Sequence, residues 1–128
     1  MIPPIIGEHF ERFRQAHPGA EMSEVPGVSA VRIEVPDVPL SDEWNRKSTR
    51  IRFLVPLAYP SAPPDCFWAD AGVALKGDVE PKGANHQPIP GTTESLRWFS
   101  WHVQQWNPNA HTISSFFQVI LDRLRTAE

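Results

Sequence analysis

The chain has 128 residues, 41% of them hydrophobic and 21% charged, with a formal net charge of −3. That length suits one domain over residues 1–128 with a single core, and that balance suits a soluble globular protein. No run approaches the roughly 18 apolar residues of a membrane span. No basic cluster exceeds "RKSTRIR" at 46–52, so neither a membrane nor a dedicated nucleic-acid surface is expected.

The first element is a predicted helix over 5–17. Ile6, Phe10 and Phe13 recur at four and three residues, which draws an apolar stripe. Pro3 and Pro4 precede it, and His17-Pro18-Gly19 stops it. "AEMSEV" and "VSAVRIEV" flank Pro26-Gly27 and read as a hairpin. Val31, Ile33 and Val35 share one face of its second strand. "PDVPLSDEWNRK" reads as a loop with an acidic tip. The third strand spans 51–57, with Ile51, Phe53 and Val55 on one face. The bases of "RKSTRIR" then fall on the solvent side of that strand. A fourth strand is expected over 66–69. From 71 to 97 the chain is rich in Gly and Pro, and an irregular segment is expected, with one short strand near 72–75. The last helix is the clearest. Ile113, Phe116, Phe117, Ile120, Leu121 and Leu124 form one wide face. Thr112 suits the N-cap, and Arg123 and Arg125 suit the helix dipole. The sum is α+β: an N-terminal helix, a four-stranded antiparallel meander, a long irregular segment and a C-terminal helix.

Between the third and fourth strands lies "YPSAPP", in which Tyr59-Pro60 and Pro63-Pro64 lock a stiff corner with an aromatic ring beside it. Downstream comes "WNPNAHTISSFFQVILDRL", residues 106–124. A strand ending in Tyr-Pro-x-x-Pro-Pro, followed by a Trp-x-Pro-x-x-x-Thr-Ile-Ser segment and a helix, resembles the ubiquitin-conjugating (UBC) superfamily. The resemblance implies the UBC fold. Because the chain ends before the further C-terminal helices of that fold, it equally resembles the RWD branch. It also implies partners: a ubiquitin-like protein and its activating enzyme.

Conjugating enzymes of this superfamily carry the modifier as a thioester on a cysteine about eight residues before the tryptophan of the second motif. Sulfur suits that task as nucleophile and leaving group. Counting back from Trp106 lands on Trp98, and no cysteine is near it in sequence. The His-Pro-Asn motif is also missing; "ANHQP", 85–88 with Ala84, holds His86 and Asn85 in another order. The only thiol is Cys66, which the resemblance places away from the thioester site. It reads either as a relocated nucleophile or, as favoured here, as a small buried hydrophobe.

"WFSWH", 98–102, stands where the cysteine is expected. With the following tryptophan it is similar to a bacterial branch, the prokaryotic UBC family E, whose members occur beside ubiquitin-like proteins, activating enzymes and JAB-type isopeptidases. Ser100 and His102 are the matched positions. His102 could act as a general acid or base, and a Ser100/His102 dyad can be drawn, but no acidic orienter is identifiable. The favoured alternative is a histidine that packs on tryptophan and orders the loop. His86, His102 and His111 lack zinc-ligand spacing, so no metal and no cofactor are expected. Trp106 is expected in the core, and at least one of Trp98 and Trp101 partly exposed.

The candidate binding residues are therefore Tyr59, Pro60, Pro63, Pro64, Trp98, Trp101 and His102. His102, Cys66 and Ser100 are the candidates for any chemistry. The favoured function is a non-catalytic adaptor in a bacterial ubiquitin-like modification system. The alternatives are an active conjugating enzyme using Cys66 and an unrelated α+β binding domain. With one cysteine and no secretory start in "MIPPII", a reducing cytoplasm is the expected location.

Overall fold

The structure is a computed structural model and describes residues 2–101 and 103–128. Helix α1 (Pro4–Ala16) is followed by strands β1 (Glu21–Glu24), β2 (Ala30–Pro39), β3 (Ser48–Pro56), β4 (Phe67–Ala69), β5 (Ala84–Pro88) and β6 (Ser95–Phe99), and then by helix α2 (Ile113–Arg125). The strands form one antiparallel sheet in the order β1-β2-β3-β4-β6-β5. The α+β class and the two helices are as the sequence implies. The sheet has six strands, not four.

Both helices cover one face of the sheet. Ile6, Phe10 and Phe13 of α1 meet Phe116, Phe117 and Ile120 of α2 above Ile33, Phe53 and Val55. The Phe13 ring stands edge-on to Phe53 at 6.5 Å and to Phe117 at 5.2 Å. Each such fully buried ring contributes on the order of 2–3 kcal/mol through apolar area removed from water. Pro4 sits in the first turn of α1, where its missing N–H costs nothing. Thr112 caps α2, and its hydroxyl and that of Ser115 serve each other's backbone N–H groups as a capping box.

Three expectations are corrected. The stretch read as a loop from Pro36 is still strand, because a bulge between Val35 and Val38 absorbs Pro36 and Asp37, the latter at φ 54°, and Val38 pairs with Thr49 beyond it. The segment 71–97 contains the β5–β6 hairpin, and 72–75 is not a strand; Leu75 makes only isolated bridges to Trp44 and Val79. Trp44, in the supposed loop, is a core residue at 2% exposure, its indole N–H donating to the Leu124 carbonyl at 2.8 Å.

The face away from the helices carries charge. Arg50 and Arg52 do lie on it, yet Arg52 is only 8% exposed and meets Asp70 at 2.8 Å, while Arg50 meets Glu34 at 2.8 Å. Beside these pairs a second apolar cluster joins Trp68, Ile89 and Leu96, with Leu54 and Trp98 against it.

Candidate functional site

The proline corner is the anchor from which the site is built. The Tyr59–Pro60 peptide is cis. The Tyr59 ring is 3% exposed, and its hydroxyl accepts the Ile113 N–H at 3.0 Å and meets His9 Nδ1 at 2.5 Å. One phenol thus joins α1 to the amino end of α2. Burial raises the pKa of that phenol, and the bond from Ile113 offsets only part. The indole N–H of Trp106 donates to the Pro60 carbonyl at 2.8 Å, and the Trp106 ring lies 6.2 Å from Tyr59 and 5.3 Å from His111. Trp106 is half-buried against the core rather than wholly inside it. Of the four corner residues named as binding candidates, Tyr59 and Pro64 are buried and Pro60 is half-buried, so Pro63 alone is fully presented to solvent.

Cys66 lies just before β4 at φ 61°, in the left-handed region that a β-carbon disfavours. Its amide donates to the Trp101 carbonyl at 2.9 Å. This corrects the placement implied by the resemblance: the thiol borders Trp98 and Trp101. It is half-buried, not buried. Burial pushes its pKa up, and the charge of Asp65 pushes it further; hydrogen bonds involving the Trp101 backbone and the Trp98 side chain offset only part of this. The thiolate needed for attack is thereby disfavoured.

The two tryptophans do not form one platform. Trp98 is half-buried on the sheet face away from the helices, opposite Trp68 and Asn85. Trp101 is 38% exposed, with the Arg123 guanidinium 5.2 Å from its ring centre. Both tryptophans are therefore partly exposed, Trp101 the more so. Ser100 follows the end of β6, and its N–H donates to the Gly83 carbonyl at 2.9 Å. His102 lies outside the described residues, and with it the Ser100/His102 dyad. Asn85 Oδ1 accepts the His86 N–H at 2.7 Å, and His86 Nε2 meets the Ala71 carbonyl at 2.8 Å, so both side chains are engaged in securing edge strand β5. Among the described residues, no group of three His, Cys, Asp or Glu is placed to hold a metal ion.

Trp101 forms one wall of a groove of about 570 Å³, lined also by Val103, Gln104 and His111 and, from α2, by Val119 and Asp122. Arg123 forms part of its floor. It is 3% exposed, and its guanidinium donates to the carbonyls of Lys82, Thr126 and Glu128 at 2.8–2.9 Å. Burial lowers its pKa, while Glu128 acts in the opposite sense. Its role was missed because a base near a helix end reads as a dipole partner. Its position, three residues after Ile120 and seven after Phe116, lies on the apolar stripe and was the available signal. Among the described residues no helix is long and apolar enough to cross a membrane.

The family model described as prokaryotic E2 family E matches residues 11–127. No curated protein and no solved structure gives a match to the chain.

Proposed function

The chain belongs to prokaryotic E2 family E, and from that premise we propose that it serves ubiquitin-like conjugation as an adaptor, not as a thioester carrier. Membership sets aside the unrelated α+β domain and makes ubiquitin-like proteins or their activating enzymes the general class of partner. The finer reading is that the groove beside Trp101 holds such a partner non-covalently, in the manner of an RWD-like domain.

The observation that carries this reading is the setting of Cys66. It is the sole cysteine. It is half-buried, and its surroundings favour the thiol over the thiolate. Trp101, by contrast, offers an exposed aromatic face beside a groove with polar and apolar walls. Tryptophans in such positions carry much of the energy of protein interfaces.

One observation favours a second reading. The Cys66 amide is bonded to Trp101, so the thiol borders the segment where this superfamily places its nucleophile. In that reading Cys66 carries the modifier. Calorimetric titration of the chain with its system's ubiquitin-like protein and activating enzyme tests the groove, and supplying ATP separates the two readings, because only a carrier then forms a thioester on Cys66. The adaptor reading expects Trp101→Ala to weaken binding about tenfold or more and Cys66→Ser to leave it unchanged. Binding that survives Trp101→Ala overturns the assignment of the groove.

A further inference from the structure

The segment between Trp106 and α2 is closed by a reciprocal pair of hydrogen bonds. The His111 N–H donates to the Asn107 carbonyl at 2.8 Å, and the Asn107 N–H donates to His111 Nδ1 at 2.9 Å. The Asn107 side chain tightens the same turn by accepting the Asn109 N–H at 2.9 Å. The His111 ring leans on Trp106, which is itself held to the Pro60 carbonyl, and its outer side lines the groove beside Trp101.

The direction of the second bond fixes a protonation state. A backbone N–H can only donate, so Nδ1 must present a lone pair and the proton of the neutral ring resides on Nε2. An imidazolium carries N–H groups at both positions and has nothing with which to accept. Protonation of His111 therefore sets two donors against each other across the turn that seats His111, the one residue of that turn lining the groove, against Trp106.

The surroundings are mixed in charge. Across the groove stand Asp122, Arg123 and Glu128. Asp122 is engaged with Arg125 at 2.9 Å, and Arg123 is a buried cation. The amino end of α2, which begins two residues on, is a poor neighbour for a further positive charge. Behind Trp106 lie Tyr59 and, through its hydroxyl, His9.

We propose that the Asn107–His111 clasp is an acid-released latch on the groove: with His111 neutral the wall is formed and the partner binds, and with His111 protonated the clasp opens and the partner leaves. This regulation rests on the reading of the groove as the partner site. Losing one hydrogen bond that shapes the wall corresponds to about a five- to tenfold loss of affinity.

The test has two arms. The first is long-range 1H–15N NMR of the histidine rings in the free protein between about pH 8 and pH 5. The expected result is an unprotonated Nδ1 on His111 at the upper end and a shift of the Asn107 amide as the ring gains its proton. The second is affinity for the ubiquitin-like protein over the same range, for the wild type and for His111→Asn. Asparagine keeps an acceptor at the Nδ1 position and cannot titrate, while His9 and His17 remain as internal controls. The wild type should weaken five- to tenfold and the variant should stay flat. An Asn107 amide indifferent to His111 protonation overturns the latch, as does an equal loss of affinity in both proteins. A clasp that opens as described in a protein that binds no partner at any pH leaves the latch standing and overturns the groove as the partner site.

Discussion

The Tyr59 hydroxyl accepts the backbone N–H of Ile113 at 3.0 Å across 54 positions of sequence. That bond fixes where α2 starts, and α2 supplies one wall of the groove. Tyr59→Phe keeps the ring and strands a buried N–H, so a loss of about 1–3 kcal/mol is expected. Tyr59→Ala also opens a cavity and should cost about 3–5 kcal/mol. Asn85→Ala, on the exposed edge strand, should change stability by less than about 0.5 kcal/mol. Urea denaturation of the three variants orders them; a Tyr59→Ala protein as stable as Asn85→Ala would show that the corner is no anchor.

Two glycines should respond with opposite signs to alanine. Gly7 lies within α1 and has no heavy atom within 4 Å of an added β-carbon. Gly7→Ala should therefore stabilise by about 0.5–1 kcal/mol. Gly91 sits at φ 86°, and a β-carbon there would lie 2.6 Å from Val25 Cγ1. Gly91→Ala should destabilise by at least about 1 kcal/mol. Thermal melts of the pair check both signs, and a Gly91→Ala protein that melts no lower than the wild type contradicts the close approach of the 89–94 loop to the β1–β2 turn.

Acid should weaken the charged face of the sheet. Burial alone raises the pKa of Asp70, but its bonds from Arg52, the Arg50 N–H and Thr49, with the Arg52 charge, outweigh burial and leave it lowered. Glu34 is lowered in the same way, burial being outweighed chiefly by Arg50 and Arg32. A folded-state pKa below the unfolded one gives stability that is present above the unfolded value, about 4, and is lost as pH falls through the folded value. The stability gap between the wild type and Asp70→Asn, read from urea midpoints, should shrink as pH falls below about 4. A gap that stays constant down to pH ~2 would mean that the carboxylate's charge contributes nothing.

Both helices were legible because their apolar stripes keep helical spacing and their ends carry proline or Thr112. The corner was legible because Tyr59, Pro60, Pro63 and Pro64 leave the backbone few choices. The β5–β6 hairpin was not. Leu96 and Trp98 face one apolar cluster, while on the other side Phe99 stacks on Phe67 and the buried Arg97 donates to the Val73 carbonyl and reaches out to the exposed Glu80. With both faces of β6 covered, no polar–apolar alternation remains to be read. β5 is a polar edge strand and lacks the signal for the opposite reason. Trp44 was misread because its indole acts on the distant Leu124 carbonyl, which no local pattern records, and Arg123 because its charge outweighed its place on the apolar stripe. Cys66 was placed too far from the 98–102 segment because β6, whose end carries Trp101 to it, was not foreseen.

The adaptor reading meets its most direct test in one reaction. The chain, its activating enzyme and the ubiquitin-like protein are incubated with ATP, and intact masses are measured with and without a reducing thiol. The expected result is a non-covalent complex and an unmodified mass, identical for the wild type and Cys66→Ser. A thiol-sensitive adduct of one modifier on the wild type that disappears in a folded Cys66→Ser protein would contradict it and make Cys66 the carrier.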